Sequence, residues 1–105
     1  RPDHPFTLFN LGMTYLYGTK DYEIAAHYIR RSLERSNPSD RIVRKAYAML
    51  TQCYISRKEL EQAIAANEAG REHYPEDAEL LYQAGQIYQH LGRFDQGRLA
   101  LERLV

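Results

Sequence analysis

The 105-residue sequence has no surplus charge of either sign, since 14 Lys and Arg residues are balanced by 14 Asp and Glu residues. A zero net charge argues against a nucleic-acid partner that is bound through its phosphates. The sequence also lacks the basic amphipathic segment of a membrane-surface helix and the run of ~18 apolar residues of a transmembrane helix. We therefore expect neither nucleic acid nor a membrane among the partners of this protein.

Cysteine is nearly absent, because Cys53 is the only one and cannot form an internal disulfide. This favours a reducing compartment, and we predict a cytoplasmic location. No local motif supplies Cys53 with a base or an oxyanion site, and the four histidines do not occur at metal-ligand spacings. The sequence therefore predicts no catalytic residue, no metal and no cofactor, so we expect that the chain itself is not an enzyme.

What the sequence does contain is an internal repeat of 34 residues, in which Tyr54 recurs as Tyr88 and Leu60 as Phe94. A third copy precedes these two, with Tyr15 at the position of Tyr54 but 39 residues before it. Of the five extra residues, one is predicted in the hinge after Tyr15, where Gly18 would make the turn. The other four precede Tyr54, and we expect an extended helix end to absorb them because four residues are about one helical turn.

Each copy has the pattern of two helices. Leu8, Leu11 and Tyr15 recur at helical spacing, and the same pattern returns in both later copies. The pairs Asn37-Pro38 and Tyr74-Pro75 indicate helix ends, and Asp40 and Asp77 are predicted to cap the helices that follow. No period-2 run persists, so the sequence predicts an all-α protein.

The third copy resembles a tetratricopeptide repeat, and the following residues carry the resemblance: Pro75, Leu81, Ala84, Gly85, Tyr88, Leu91, Gly92, Phe94 and Gly97. Both earlier copies resemble the family as well, which divides a single domain 1–105 into repeats at about 5–38, 41–74 and 75–105. The resemblance implies an α-α superhelix, a right-handed solenoid of three helix-turn-helix repeats whose first helices line a concave groove. It also implies that small residues bring paired helices together, while aromatic residues, namely Tyr15, Tyr22, Tyr54 and Phe94, fill the space between neighbours.

The exposed face of the first helices is then the predicted binding groove. Projection onto this face selects Asn10, Met13, Tyr17, Lys45, Met49, Gln52, Tyr82, Gln83, Gln86 and Gln89. Amides can hydrogen-bond to an extended peptide, and Met and Tyr supply adaptable apolar contact. We predict a non-catalytic scaffold that binds a protein or peptide, and expect that Met49→Glu with Gln83→Glu weakens binding without unfolding. A merely solvated helix face is the alternative.

Two further hypotheses concern the parent chain and its assembly. The stretches HPFTLFNLGMTYLYG, RRSLERS and VRKAYAMLTQCY look like the repeat region of bacterial family-2 glycosyltransferases, which implies an accessory or dimerisation module of a larger enzyme. The chain begins without Met and ends without a helix stop signal, so we expect a fragment of a longer protein. Its apolar end, with Leu99, Leu101, Leu104 and Val105, favours self-assembly into a homo-oligomer through uncapped repeat ends.

Overall fold

A computed structural model describes residues 4–105, so residues 1–3 of the predicted domain 1–105 lie outside the described residues. Within this range the chain forms helices and no strand, in the order α1 (Pro5–Met13), α2 (Tyr22–Glu34), α3 (Arg41–Ser56), α4 (Leu60–His73), α5 (Ala78–His90) and α6 (Phe94–Glu102). A π-helical segment, Thr14–Thr19, continues α1 without a break. The predicted all-α class is confirmed.

The six helices pack as three consecutive pairs, α1 with α2, α3 with α4 and α5 with α6. The second helix of each pair packs against the first helix of the next, and the first helices α1, α3 and α5 also contact one another in that order. The stack measures 44 × 28 × 18 Å. The predicted arrangement of helix pairs is therefore confirmed, while the right-handed sense of the solenoid stays a prediction.

The hydrophobic core forms two clusters, each of which joins neighbouring helix pairs. The first is built mainly from α1, α2 and α3, with Leu16 of the π-helical segment and Ala66 of α4, and the second from α4, α5 and α6. Tyr54 packs against both clusters, and its hydroxyl accepts a hydrogen bond from Arg30 of the preceding pair at 2.8 Å. Tyr88 makes a similar contact one pair later, where Arg71 of α4 donates to its hydroxyl at 3.2 Å. These tyrosines therefore connect α3 and α5 to the helix pair that precedes each of them.

Glycine brings the two helices of the outer pairs into close contact. A Cβ atom at Gly12 would lie 2.5 Å from Cγ1 of Ile29, and one at Gly85 would lie 2.5 Å from Cδ2 of Leu101. Real Cβ atoms do not approach other atoms so closely, so a larger residue at either position would push the helices apart. Gly12 and Gly85 therefore have the expected role of small residues, which is to let paired helices come into close contact.

In the middle pair, the corresponding helix contact is made by residues of different size. Thr51 takes the position of Gly12 and Gly85, is fully buried, and donates its hydroxyl to the carbonyl of Tyr47 at 2.8 Å. The α4 position that corresponds to Ile29 and Leu101 holds Asn67, which is smaller than either. The larger side chain of Thr51 on α3 is therefore compensated by the smaller side chain of Asn67 on α4.

The turn inside each pair is built on the carbonyl of the repeated tyrosine. The carbonyl of Tyr54 accepts from the backbone N–H of Glu59 at 2.9 Å, and that of Tyr88 accepts from Arg93 at 2.8 Å. These bonds belong to the helix-ending motif that needs one residue in the left-handed conformation. Lys58, with φ 62°, and Gly92, with φ 77°, supply it.

The extra residue of the first copy lies in the helix and not in the hinge. The carbonyl of Tyr15 accepts from the N–H of Asp21 at 2.9 Å across one more residue, and the π-helical segment provides the wider turn that this requires. Lys20, with φ 59°, takes the left-handed position. The prediction of a longer hinge that turns at Gly18 is therefore wrong, since Gly18 lies inside the π-helical segment.

Most of the other four extra residues lengthen the start of α3, which has 16 residues where α5 has 13. Asp40 and Asp77 occupy the positions before α3 and α5, as predicted. The Asp77 carboxylate accepts from the N–H of Leu80 at 3.0 Å, whereas that of Asp40 accepts from the N–H of Asn37 at 2.9 Å in the preceding loop. Of these two aspartates, Asp77 therefore caps its helix through its side chain and Asp40 does not.

Replacement of Lys20 or Lys58 by Gly should raise the free energy of unfolding by about 0.5–1 kcal/mol each. Glycine adopts a positive φ without steric cost, and this gain exceeds its loss of backbone entropy. Gly92→Ala is the matched opposite change and should lower the free energy of unfolding by a similar amount. Chemical denaturation of the three variants measures this, and a destabilised Lys58→Gly would contradict the assigned turn.

Candidate functional site

Six of the ten predicted groove residues have exposed side chains in the structure: Asn10, Tyr17, Gln52, Tyr82, Gln86 and Gln89. On α5 the exposed positions Tyr82, Gln86 and Gln89 recur at helical spacing and therefore share one face. Tyr17 and Tyr82 are each 56% exposed. Met13 is half-buried and packs against the first core cluster.

Met49 and Gln83 are not on the surface, so they leave the predicted groove. Met49 is 1% exposed and belongs to the first core cluster. Gln83 is 6% exposed because its side chain crosses to α3, where Nε2 donates to the carbonyl of Ala48 at 2.9 Å. Its Oε1 is buried and has no hydrogen-bond partner among residues 4–105. Both residues therefore pack between first helices and are not available to a ligand.

Lys45 is half-buried and forms an ion pair with Glu79 of α5, with Nζ and Oε2 3.0 Å apart. Beside it, Arg44 pairs with Asp77 at 3.2 Å. Such partly exposed pairs contribute at most about 1 kcal/mol each, so their main effect is to fix the position of α5 against α3. Lys45 was predicted to lie in the groove, and its ion pair with Glu79 of α5 was not predicted.

The contacts between α3 and α5 follow the repeat length. Lys45 meets Glu79 at an offset of 34, and Ala48 meets Gln83 at an offset of 35. A nearly constant offset means that the two helices run in the same direction and in register. The 34-residue repeat was therefore the signal from which these contacts could have been found.

A cavity of about 430 Å³ opens at the other end of the α3–α5 contact. It is lined by Ile55, Lys58, Leu60, Gln86, Ile87 and His90. The apolar residues come from the end of α3, the start of α4 and the last turns of α5, while polar groups border them. Pockets with an apolar lining and a few polar groups are the usual form of a ligand site.

His90 has a defined tautomer when it is neutral. Its Nδ1 lies 2.9 Å from the carbonyl oxygen of Gln86, one turn earlier on α5. A carbonyl oxygen only accepts hydrogen bonds, so the proton of the neutral ring is on Nδ1. This leaves Nε2 of the neutral ring as a hydrogen-bond acceptor.

The chemistry-bearing residues elsewhere have structural surroundings. Cys53 is fully buried, and this burial raises the pKa of its thiol to about 11 against the opposing charges of Arg30 and Arg57. A thiol with this pKa is protonated at neutral pH and is a poor nucleophile. Among the described residues no group of His, Cys, Asp and Glu is arranged to hold a metal ion. None of the helices in residues 4–105 combines the length and apolar character needed to cross a bilayer.

The apolar residues at the end of the chain differ in their exposure to solvent. Leu101 is half-buried and packs against Gly85, whereas Leu99 is 55% exposed. Phe94 is 67% exposed, so the prediction that it fills the space between neighbours is wrong in this structure. Its counterpart Leu60 is covered by the following helix pair, and within the described residues no pair follows α6.

A family model for the tetratricopeptide repeat matches residues 7–38 and 78–105, which contain most of the first and third helix pairs. These segments make up more than half of the chain. No catalytic family accompanies them, and the match gives no support to the predicted glycosyltransferase parent. No curated protein gave a match to the chain.

The double change Met49→Glu with Gln83→Glu should unfold the domain instead of leaving it intact. Each substitution places a carboxylate in a buried site without a counter-ion, which costs at least about 3 kcal/mol. Gln52→Glu, which adds the same charge at an exposed position of α3, should change the free energy of unfolding little. Thermal unfolding followed by circular dichroism compares them, and a cooperative wild-type transition in the double variant would contradict the burial of both residues.

Proposed function

Because the chain belongs to the tetratricopeptide repeat family, we propose that it is a non-catalytic scaffold domain that binds a protein or peptide. Tetratricopeptide repeats are in general protein-interaction scaffolds, and the matched segments cover the first and third pairs. The proposed binding surface is the exposed side of α1, α3 and α5. We call it the first-helix face and define it by Asn10, Tyr17, Gln52, Tyr82, Gln86 and Gln89.

The exposure of Tyr17 and Tyr82 is the observation that carries this proposal. Each is more than half exposed, while Tyr15, Tyr54 and Tyr88 on the same helices are half-buried or buried in the stack. Tyrosine provides a large apolar contact area together with a hydroxyl for hydrogen bonding, and it is enriched in protein interfaces. Two such residues on first helices of different pairs suit a ligand that extends across the stack.

The amide side chains on the first-helix face give the ligand class. Gln52, Gln86 and Gln89 each carry a donor and an acceptor, so they can pair with the alternating N–H and C=O groups of a peptide backbone. Lys45 and Glu79 neutralise each other at the edge of this face. A neutral face of this kind favours a peptide that is bound through its backbone and apolar side chains.

Selection of peptides from a random library on the wild-type domain, followed by calorimetric titration, tests the proposal. Tyr17→Ser with Tyr82→Ser should weaken a selected peptide at least tenfold, because two large aromatic contacts are lost from the face. Phe94→Ser is the matched control, since it removes an exposed aromatic residue from α6 instead. Equal affinity of the wild type and the tyrosine variant, or an equal loss in the control, would contradict this binding surface.

Self-association is a second candidate, and exposed apolar residues on and after α6 support it. Phe94, Leu99, Leu104 and Val105 are exposed, with Val105 fully so. Sedimentation equilibrium should show dimers or larger species at high protein concentration, and Leu99→Lys should shift the distribution towards monomer. A wild-type protein that stays monomeric at all concentrations would remove this candidate.

Two finer proposals remain from the sequence. An accessory or dimerisation module of a family-2 glycosyltransferase is supported by the sequence resemblance alone. A cytoplasmic location is supported by the buried, free and unreactive thiol of Cys53.

A further inference from the structure

The crevice between the parallel helices α3 and α5 is bridged by side chains in the first half of α3. Near the start of both helices, the ion pair of Lys45 and Glu79 spans the crevice. One turn further along, the Gln83 side chain crosses the crevice to the carbonyl of Ala48. Beyond Gln83, within residues 4–105, no side-chain hydrogen bond or ion pair links the two helices, and the cavity begins. A chain lying on the first-helix face therefore meets an opening into the α3–α5 crevice, at the end where both helices stop.

The floor of this opening is apolar. Ile87 is 1% exposed and lies one turn after Gln83 on α5, while Ile55 and Leu60 are half-buried on the other side. Branched aliphatic residues on both sides suit a side chain of the same kind, since burying one there removes apolar surface from water on both partners. The cavity therefore fits an aliphatic side chain such as leucine.

The rim supplies one positive charge and one acceptor. Within residues 4–105 Lys58 has no carboxylate partner, whereas the nearby Glu59 is paired with Arg57 at 3.4 Å and Glu61 with Arg93 at 2.9 Å. The neighbouring acids are thus already engaged, and the Lys58 ammonium remains for a ligand. The Nε2 atom of neutral His90 offers an acceptor for a ligand N–H.

Lys58 is also held in place by its backbone. Its N–H donates to the carbonyl of Ile55 at 2.9 Å, and its left-handed φ belongs to the turn that ends α3. The Cα and Cβ atoms of Lys58 are therefore fixed at the rim of the cavity, although the ammonium itself is exposed. Lys20 has the same backbone conformation in the first pair but does not line this cavity.

We propose that this cavity is a specificity subsite of the first-helix face, which accepts a leucine-like side chain of a bound peptide when a carboxylate residue follows it. The inference rests on the proposed peptide-binding function and deepens it. The aliphatic side chain enters between Ile55 and Ile87, a backbone N–H of the peptide donates to Nε2 of His90, and the following Asp or Glu pairs with Lys58. The ligand motif is therefore Leu-Glu or Leu-Asp.

Capped dipeptides test the subsite by titration of the ¹⁵N-labelled domain at low ionic strength. Acetyl-Leu-Glu-amide should shift the backbone resonances of Ile55, Ile87 and His90 in a saturable manner. Acetyl-Leu-Gln-amide, which lacks the charge, should bind up to about fivefold more weakly, as expected for the loss of one solvent-exposed ion pair. Acetyl-Ala-Glu-amide, which lacks the aliphatic side chain, should give no saturable shifts at these residues.

Two matched variants assign the charge preference to Lys58. Lys58→Asn keeps a residue that tolerates the left-handed conformation and removes the ammonium, so it should abolish the preference for Glu over Gln. Lys20→Asn makes the same change away from the cavity and should retain that preference. Preservation of the preference in Lys58→Asn, or equal binding of the alanine and leucine dipeptides, would overturn the proposal.

The result also separates this inference from the function on which it rests. A library-selected peptide that shifts Tyr17, Gln52 and Tyr82, combined with dipeptides that leave Ile55 and Ile87 unshifted, would overturn the subsite and retain the first-helix face. Dipeptide binding at the cavity together with full affinity of the Tyr17→Ser, Tyr82→Ser variant for the selected peptide would retain the subsite and reject the wider face.

Discussion

The whole stack depends on how closely the two helices of each pair approach one another. In the outer pairs Gly12 and Gly85 leave no room for a Cβ atom beside Ile29 and Leu101. In the middle pair Thr51 fills the glycine position, while the opposite position holds the smaller Asn67. At this contact a small residue on one helix thus faces a larger one on the other, or two residues of intermediate size meet, which lets the two helices of every pair pack closely.

The turn inside each pair links this packing to the candidate site. In all three pairs the carbonyl of the repeated tyrosine accepts the hydrogen bond that closes the turn, and a left-handed residue follows. In the second pair that residue is Lys58, so the same geometry that ends α3 also places a cation at the rim of the cavity. The first pair keeps this anchor despite an extra residue, because a π-helical turn absorbs it. A structural requirement of the fold thus positions a group that a ligand can use.

The candidate site was partly predictable from the sequence. Periodicity within one helix correctly identified Tyr17, Tyr82 and Gln86 as residues outside the core of their own pair. It failed for Met49 and Gln83, because their burial comes from neighbouring first helices and not from their own pair. The prediction for Phe94, which came from the family resemblance, failed for the opposite reason, since its counterpart Leu60 is covered by a following helix pair. The polar side chain of Gln83 wrongly suggested an exposed position, because its amide is buried and donates to the carbonyl of Ala48.

The sequence by itself determined the all-α class, the helix pairs and the turns of the second and third pairs, because helical periodicity, X-Pro pairs and the 34-residue repeat are properties of the chain. Only the tertiary structure decided which sides of the first helices remain exposed and where the α3–α5 crevice opens. Local pattern fixes which residues prefer burial against their own partner helix, through contacts three or four residues apart. Burial between pairs depends instead on residues 34 or 35 positions apart, such as Lys45 with Glu79 and Ala48 with Gln83, and these meet only once the pairs have stacked.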